Sequence, residues 1–403
     1  MRIAIFDYAV VPTNPAGGCH SRMIKGLCHE HEFTVFAVKF ENPCPGTVRW
    51  VRVPVPLRPA ALTFVAFQVA APICYAWERI QRRARYGLVQ FTETNIAFGS
   101  VSYAHFCFRA YLKRHWAQSR PGGLRRFAYW LALRLRAAAE PHVFRRAKHI
   151  VTPSQGLARE LAEEYPFTTG KIRVLPNPVD IERMRKPRDF DRRVVREGLG
   201  LNDEDVAFVF VALGAFERKG LPLLLEALRR LPERKAKLLV AGGQPDLVSS
   251  YRRLASRKGL DGVVRFLGSQ VDVRPYLWAA DAFVLPSHYE VFPLVALEAA
   301  AAGLPLLVTP LSGVEEFIRH GENGFLLQLS AGGITHGLRL LLDLSPEARK
   351  AMGGAAQQDV ARYDTVNFVD AWRRFYREIG ASSNRPCGVE TPASAGTAVG
   401  QRR

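Results

Sequence analysis

The chain has 403 residues, 48% hydrophobic and 23% charged, which excludes a disordered or fibrous polymer and leaves room for two domains with separate cores. The formal net charge is +19, and 22 Lys/Arg against 7 Asp/Glu place +15 of it in residues 1–150. Six cysteines with no CxxC pair and no dense framework exclude a disulfide scaffold and fit reduced thiols in a cytoplasm.

In chain order, MRIAIFDYAV reads as a strand over Ile3–Phe6 rather than a signal peptide. A Gly-rich loop follows, then a helix over His20–Leu27 and a strand over Thr34–Lys39. Gly17 and Gly18 ahead of that helix offer unencumbered backbone N–H groups to a phosphate or a sugar, with a plain turn as the alternative. Cys28-His29-Glu30-His31-Glu32 contains ligand-type residues but no partner set in a fixed geometry, so no metal is expected there. The stretch 60–77 carries no charge and sits at the lower edge for spanning a bilayer. Pro72 lies inside it, and the expectation is a buried helix or an interfacial one rather than a span.

Tyr86–Phe91 and Tyr103–Cys107 read as strands, and Ser154 caps a helix over Leu157–Glu164. The segment Arg109–Lys148 is the most basic, with Arg125, Arg126, Arg134, Arg136, Arg145 and Arg146. Such a face attracts an anionic lipid surface, a phosphorylated glycan or nucleic acid, or is simply a solvated surface. Two prolines make Val174–Asp180 a natural linker. Asp203-Glu204-Asp205 has the form of a metal-binding D-x-D, but it lies in a polar loop ahead of a strand and is discounted.

Val206–Leu213 is an apolar run suited to a parallel strand buried on both faces. It ends in Gly214-Ala215-Phe216-Glu217-Arg218-Lys219-Gly220, with a helix starting near Pro222. Ligands bind at the carboxyl ends of strands in open α/β sheets, and two adjacent cations there suit a diphosphate, Arg218 bidentate and Lys219 as a point charge. Leu238–Ala241 and Val264–Leu267 repeat the strand-and-glycine pattern. Ala282–Leu285 is another buried strand, followed by a polar loop to Glu290 and a helix that Pro293 opens and Gly303 closes. Helical side chains lean toward the N-terminus, so Glu298 can reach back toward the mouth where Glu290 sits. On their own these two carboxylates also fit an ordinary capped helix, or the acid pair of a glycoside hydrolase, which would have no need of Arg218 and Lys219.

Glu290 and Glu298, separated by seven residues and followed by Ala301-x-Gly303-x-Pro305, Gly313 and Asn323-Gly324, resemble the signature of family-4 retaining glycosyltransferases. The resemblance covers about 1–380. It implies an α/β GT-B fold: two Rossmann-like domains, a cleft between them, and a C-terminal helix crossing back to the first. The expected division is 1–178 plus helix 362–380 on the acceptor side, 179–361 on the nucleotide-sugar side, and a disordered tail over 381–403. As catalytic residues it implies Glu290 on donor-sugar hydroxyls, Arg218 and Lys219 on the diphosphate, and His105 near sugar and acceptor, with a backbone-bonded core histidine as the alternative. As donor-binding residues it implies Gly17, Gly18, Gly214, Ser269, Val271, Val291, Phe292, Leu294 and Glu298, the last on the ribose. Glycine is frequent in the family where this chain has Val291 and Pro293, a departure that bears on the donor sugar more than on the reaction.

The resulting expectation is a metal-independent hexosyltransferase without a cofactor, using a nucleotide-diphosphate sugar as co-substrate. Its acceptor would be a glycan or lipid-linked glycan of polysaccharide or lipopolysaccharide type. It would be cytoplasmic and peripheral on an anionic membrane surface, with no nucleic-acid partner. The alternatives are a nucleotide-sugar epimerase of the same fold and a non-catalytic protein that binds anionic surfaces.

Overall fold

A computed structural model describes residues 1–119, 125–232 and 235–383. Two parallel sheets are built in succession. The first contains β1 (Arg2–Phe6), β2 (Glu32–Ala37), β3 (Arg49–Arg52), β4 (Leu88–Thr92), β5 (Val101–Tyr103), β6 (His149–Thr152) and β7 (Ile172–Val174), in the order β3-β2-β1-β4-β5-β6-β7. The second contains β8 (Val206–Val211), β9 (Ala236–Ala241), β10 (Val264–Gly268), β11 (Ala282–Leu285), β12 (Leu306–Val308) and β13 (Gly324–Leu326), in the order β10-β9-β8-β11-β12-β13. Both are doubly wound, so each has a switch point beside its first strand, where crossovers diverge to opposite faces and leave a crevice.

The helices that position the site and shape the first domain's surface are α1 (Pro15–Leu27), α2 (Ala60–Gln81), α3 (Phe108–Arg114), α4 (Arg125–Arg146), α5 (Gln155–Glu164), α6 (Leu221–Arg229), α7 (Leu294–Ala301) and α8 (Thr365–Ser383). Strand β8 is almost wholly buried, as an apolar run sandwiched between helix layers must be. Helix α8 returns to the first domain. Its Phe368, Trp372, Phe375 and Tyr376 share one core with Ile3, Ile5, Val35 and Val101. A buried polar chain ties it there: Tyr376 donates to Gln90 Oε1 (2.8 Å), and Gln90 meets His20, which pairs with Asp7.

Several boundaries differ from the sequence reading. Helix α1 starts at Pro15 rather than His20, because Asn14 caps it and Gly17 and Gly18 belong to its first turn. The strand expected over Tyr103–Cys107 ends at Tyr103, where its pairing with β6 stops, so His105 sits on the loop beyond. The crossing helix spans Thr365–Ser383 rather than 362–380, and the tail expected over 381–403 lies outside the described residues from 384 onward. The five described cysteines are free.

Candidate active site between the two domains

The second sheet's switch point lies between β8 and β11, and the loops leaving these strands carry Arg218, Lys219 and Glu290. The loops are locked together. His288 donates its backbone N–H to the Arg218 carbonyl (2.8 Å), and Ser287 Oγ lies 3.0 Å from the same oxygen. Gly220 makes the approach possible. Its φ is +77°, and a Cβ there would stand 1.8 Å from the Pro286 carbonyl oxygen.

Within this frame one carboxylate oxygen collects three donors. Glu290 Oε1 accepts from Lys219 Nζ (2.5 Å), Arg218 Nη1 (3.2 Å) and Ser287 Oγ (3.1 Å). Burial pushes the Glu290 carboxyl up, but Lys219 and Arg218 outweigh it and hold the group below the ordinary carboxylate range. Glu290 is therefore an anion aligned by the two cations expected on a diphosphate. Arg218 is further fixed by donating to the Tyr289 carbonyl (2.6 Å).

Glu298 sits in the second turn of α7, and its carboxylate has no hydrogen-bond partner among the described residues. Burial raises its pKa, moderated by Arg22 of α1 and Arg183 from the other side. A half-buried acceptor that feels cations of both domains suits hydroxyl donors such as a ribose. Pro293 is the N-cap of α7 rather than its first helical residue.

His105 lies on the first domain's loop after β5. Its Nε2 is 3.2 Å from Asn177 Oδ1, which also accepts from Tyr103 Oη (2.8 Å). With Nε2–H as donor, Nδ1 is left as a buried acceptor without a hydrogen-bond partner among the described residues. Burial lowers the ring pKa to about 4 against the Asn177 bond, so the imidazole is neutral at neutral pH. Asn177 was legible only as part of a linker, yet it orients this ring.

Other sequence-assigned residues fall elsewhere. The N–H groups of Gly17 and Gly18 are not free: Asn14 Oδ1 accepts the first (2.9 Å) and the Asn14 carbonyl the second (2.6 Å). Gly17 is needed for close packing, since a Cβ there would lie 2.0 Å from the Ala9 carbonyl oxygen. Phe292 packs in the second domain's core against Tyr363, and a Cβ on Gly313 would strike its ring. Val291 packs against first-domain clusters, and its carbonyl accepts from Ser154 Oγ (2.7 Å). Leu294 touches the cores of both domains. Gly214 follows β8 directly. Ser269 and the fully exposed Val271 occupy the loop after β10 and share no hydrogen bond with the Glu290 cluster. A cavity of about 710 Å³ by β10, lined by Gly198, Arg252 and Arg265 among others, contains none of the catalytic assignments. Asp205 accepts from its own loop, Asn202 N (2.8 Å), and pairs with Lys237. Among the described residues no group of three or more His, Cys, Asp or Glu is placed to hold a metal.

Sequence reasoning missed the latch beside Glu290. Tyr289 crosses into the first domain among Phe106, Tyr111 and His115, and its hydroxyl donates to Glu160 Oε1 (2.9 Å). Glu316 of the second domain accepts from the Gln155 N–H (2.7 Å) at the N-terminus of α5, and Arg159 pairs with Glu315. Burial pushes two nearby carboxyls above the ordinary range against the donors they accept from, Glu160 up to about 7 and Glu140 up to about 8. Both lie above the unfolded carboxylate value, so the stability they contribute is full below that value and is lost as pH rises through about 7–8. The melting temperature should fall between pH 5 and 8.5, and Glu140→Gln should flatten the slope. An unchanged slope in the variant would assign the pH dependence elsewhere.

The comparisons with known proteins follow the same division. Residues 21–183 match the model of Glycosyltransferase Family 4, and 191–359 match that of Glycosyl transferases group 1. The chain is 38% identical over 149 residues to the lipopolysaccharide core biosynthesis glycosyltransferase LpsE of Rhizobium meliloti, covering 36% of this chain and 43% of that protein. It is 31% identical over 242 residues to D-inositol 3-phosphate glycosyltransferase 2 of Catenulispora acidiphila, covering 57% and 55%. The chain spans about half the length of the curated relatives it matches. Among solved structures, WaaG, a glycosyltransferase involved in lipopolysaccharide biosynthesis, superposes with a TM-score of 0.73 at 21% identity over 93% of this chain and 99% of that one. Anabaena HepE in complex with UDP and glucose gives 0.71 at 19% over 94% and 100%. One family model for each half, in the order of the two sheets, and one architecture shared end to end with the solved structures converge: the chain belongs to the family-4 glycosyltransferases and has their GT-B fold.

Proposed function

We propose that the protein is a retaining, metal-independent glycosyltransferase that moves a hexosyl unit from a nucleotide-diphosphate sugar to a glycan or lipid-linked glycan. The observation that carries this reading is the convergence of Arg218, Lys219 and Glu290 at the switch point of the second sheet. Bond breaking at the anomeric carbon leaves negative charge on the departing diphosphate, and fixed cations are worth most where that charge develops. Arg218 and Lys219 supply them, and Glu290, held ionised, accepts from hydroxyls of the donor sugar. Glu298 takes the ribose, and neutral His105 offers Nδ1 to a sugar or acceptor hydroxyl. In a front-face displacement the diphosphate itself helps remove the acceptor proton.

HepE was solved with UDP and with UDP-glucose, which favours a UDP-sugar as donor. The names of LpsE and WaaG favour an acceptor of the lipopolysaccharide or polysaccharide type. The +15 of residues 1–150 supports work at the anionic cytoplasmic face of a membrane. An epimerase would convert donor without acceptor, and a purely surface-binding protein would not bind donor at all. The test is a thermal-shift screen of UDP-, GDP- and ADP-sugars in EDTA, since a ligand selective for the folded state raises the melting temperature. One of the three should raise it, and turnover with acceptor should persist in EDTA. No shift with any donor, or turnover that needs added Mn²⁺ or Mg²⁺, would overturn the reading.

A further inference from the structure

Helix α2 leaves an apolar face uncovered. Thr63, Phe64, Phe67, Ala71 and Glu78 turn inward, while Leu62, Val65, Val69, Ile73, Trp77 and Ile80 are 50–72% exposed. The exposed set advances in steps of three and four residues, so it forms one stripe along the outer face. From Leu62 to Ile80 it extends about 27 Å at the helical rise. A stripe of this length exceeds the scattered apolar exposure normal for a surface.

We propose that this stripe is a membrane-docking element that sinks into the headgroup region of an anionic bilayer and holds the first domain against it. The proposal rests on the reading of a surface-borne acceptor and names the element that makes the contact. Charge supports a bilayer as the occupant. Exposed Arg58 precedes the helix, exposed Arg79, Arg82, Arg83 and Arg85 cluster at its other end, and residues 42–77 contain no Asp or Glu. Arginines at both ends can meet lipid phosphates while the apolar face lies between them. Glu78 does not oppose this, because it is buried and bonded to Arg49 (2.5 Å). Residues 94–139 add eight Lys/Arg and no acid, and α4 adds exposed Arg126 and Phe127.

The helix is long and apolar enough to cross a membrane. It lies flat, because its inner face packs against α4 and β2, and withdrawal would strand the Arg49–Glu78 pair. A second copy docking by the same antiparallel stripe would bring Arg58 against Arg82, Arg83 and Arg85, a like-charge contact.

Vesicle flotation at low salt tests this with the full chain and no donor. Vesicles containing phosphatidylglycerol should bind the protein, and phosphatidylcholine vesicles should bind it at least tenfold less. Val69→Asp/Ile73→Asp should lower binding to the anionic vesicles at least tenfold. Their melting temperature and nucleotide-sugar thermal shift should remain at parent values. Ile73→Ser/Trp77→Ser provides a variant without added charge and should also weaken binding. Equal binding to both lipids, no binding at low salt, or full binding by both variants overturns the proposal. A parent that is dimeric and variants that are monomeric, with no vesicle binding, assign the stripe to a second copy instead. Vesicle binding without a thermal shift from any nucleotide-sugar would sink the transferase reading and leave the docking surface standing.

Discussion

Lys219→Ala is expected to lower kcat by about two to three orders of magnitude, the roughly 2.7–4 kcal/mol associated with one preorganised charge-stabilising donor. The side chain is only 14% exposed, and its ammonium is held on Glu290 Oε1. Removing it leaves Glu290 with Arg218 and Ser287 as donors, so no unpaired buried carboxylate results and the melting temperature should stay within a few degrees. The loss should appear in kcat and kcat/KM together, because the interaction strengthens as the diphosphate leaves. Lys219→Arg keeps the charge but replaces a compact ammonium with a planar fork, so recovery should be partial. A kcat within threefold of the parent in the alanine variant would remove Lys219 from the chemistry.

How much of this was legible in the chain depends on whether the signal is local. The run Val206–Leu213 and the tripeptide Arg218-Lys219-Gly220 declare a buried strand and a cationic loop within a dozen residues. The structure puts that loop against Glu290 as the switch-point rule requires. Glu298 reads as lying inside the helix that follows Glu290, and it does. What was not legible depended on distant partners. The exception is Gly17 and Gly18, which read as free donors although Asn14 ahead of Pro15 is a local N-cap pattern and takes both protons. His105 read as part of a strand because YAHFC is apolar, whereas the strand ends where its neighbour stops pairing. The pairing of Tyr289 with Glu160 joins residues 129 positions apart, and no spacing rule reaches that far. The stretch 60–77 shows the same limit: its hydropathy announces a helix but not whether a partner covers its outer face.

Trp372→Ala is expected to have the largest effect on stability, about 3–5 kcal/mol in the range for buried Trp or Phe to Ala. The side chain is fully buried on α8, in contact with the rings of Tyr103, Phe368, Phe375 and Tyr376. Its indole Nε1 has no hydrogen-bond partner among the described residues, so the substitution also deletes an unsatisfied donor, which pulls the cost toward the lower end. Trp372→Phe should therefore cost much less, retaining most of the packing without the orphan N–H. The consequence extends to the site. Tyr103, 5.0 Å from Trp372 between ring centres, also meets the His105 ring edge to face at 4.1 Å and donates to the Asn177 oxygen that orients it. A void behind Tyr103 should loosen His105, so the alanine variant should lose activity at temperatures well below its melting point, and the phenylalanine variant should not. The measurement is a melting curve together with turnover for all three proteins. If Trp372→Ala melted within two degrees of the parent, α8 would not be packed into the first domain's core, and the crossing-back of the last helix would have to be abandoned.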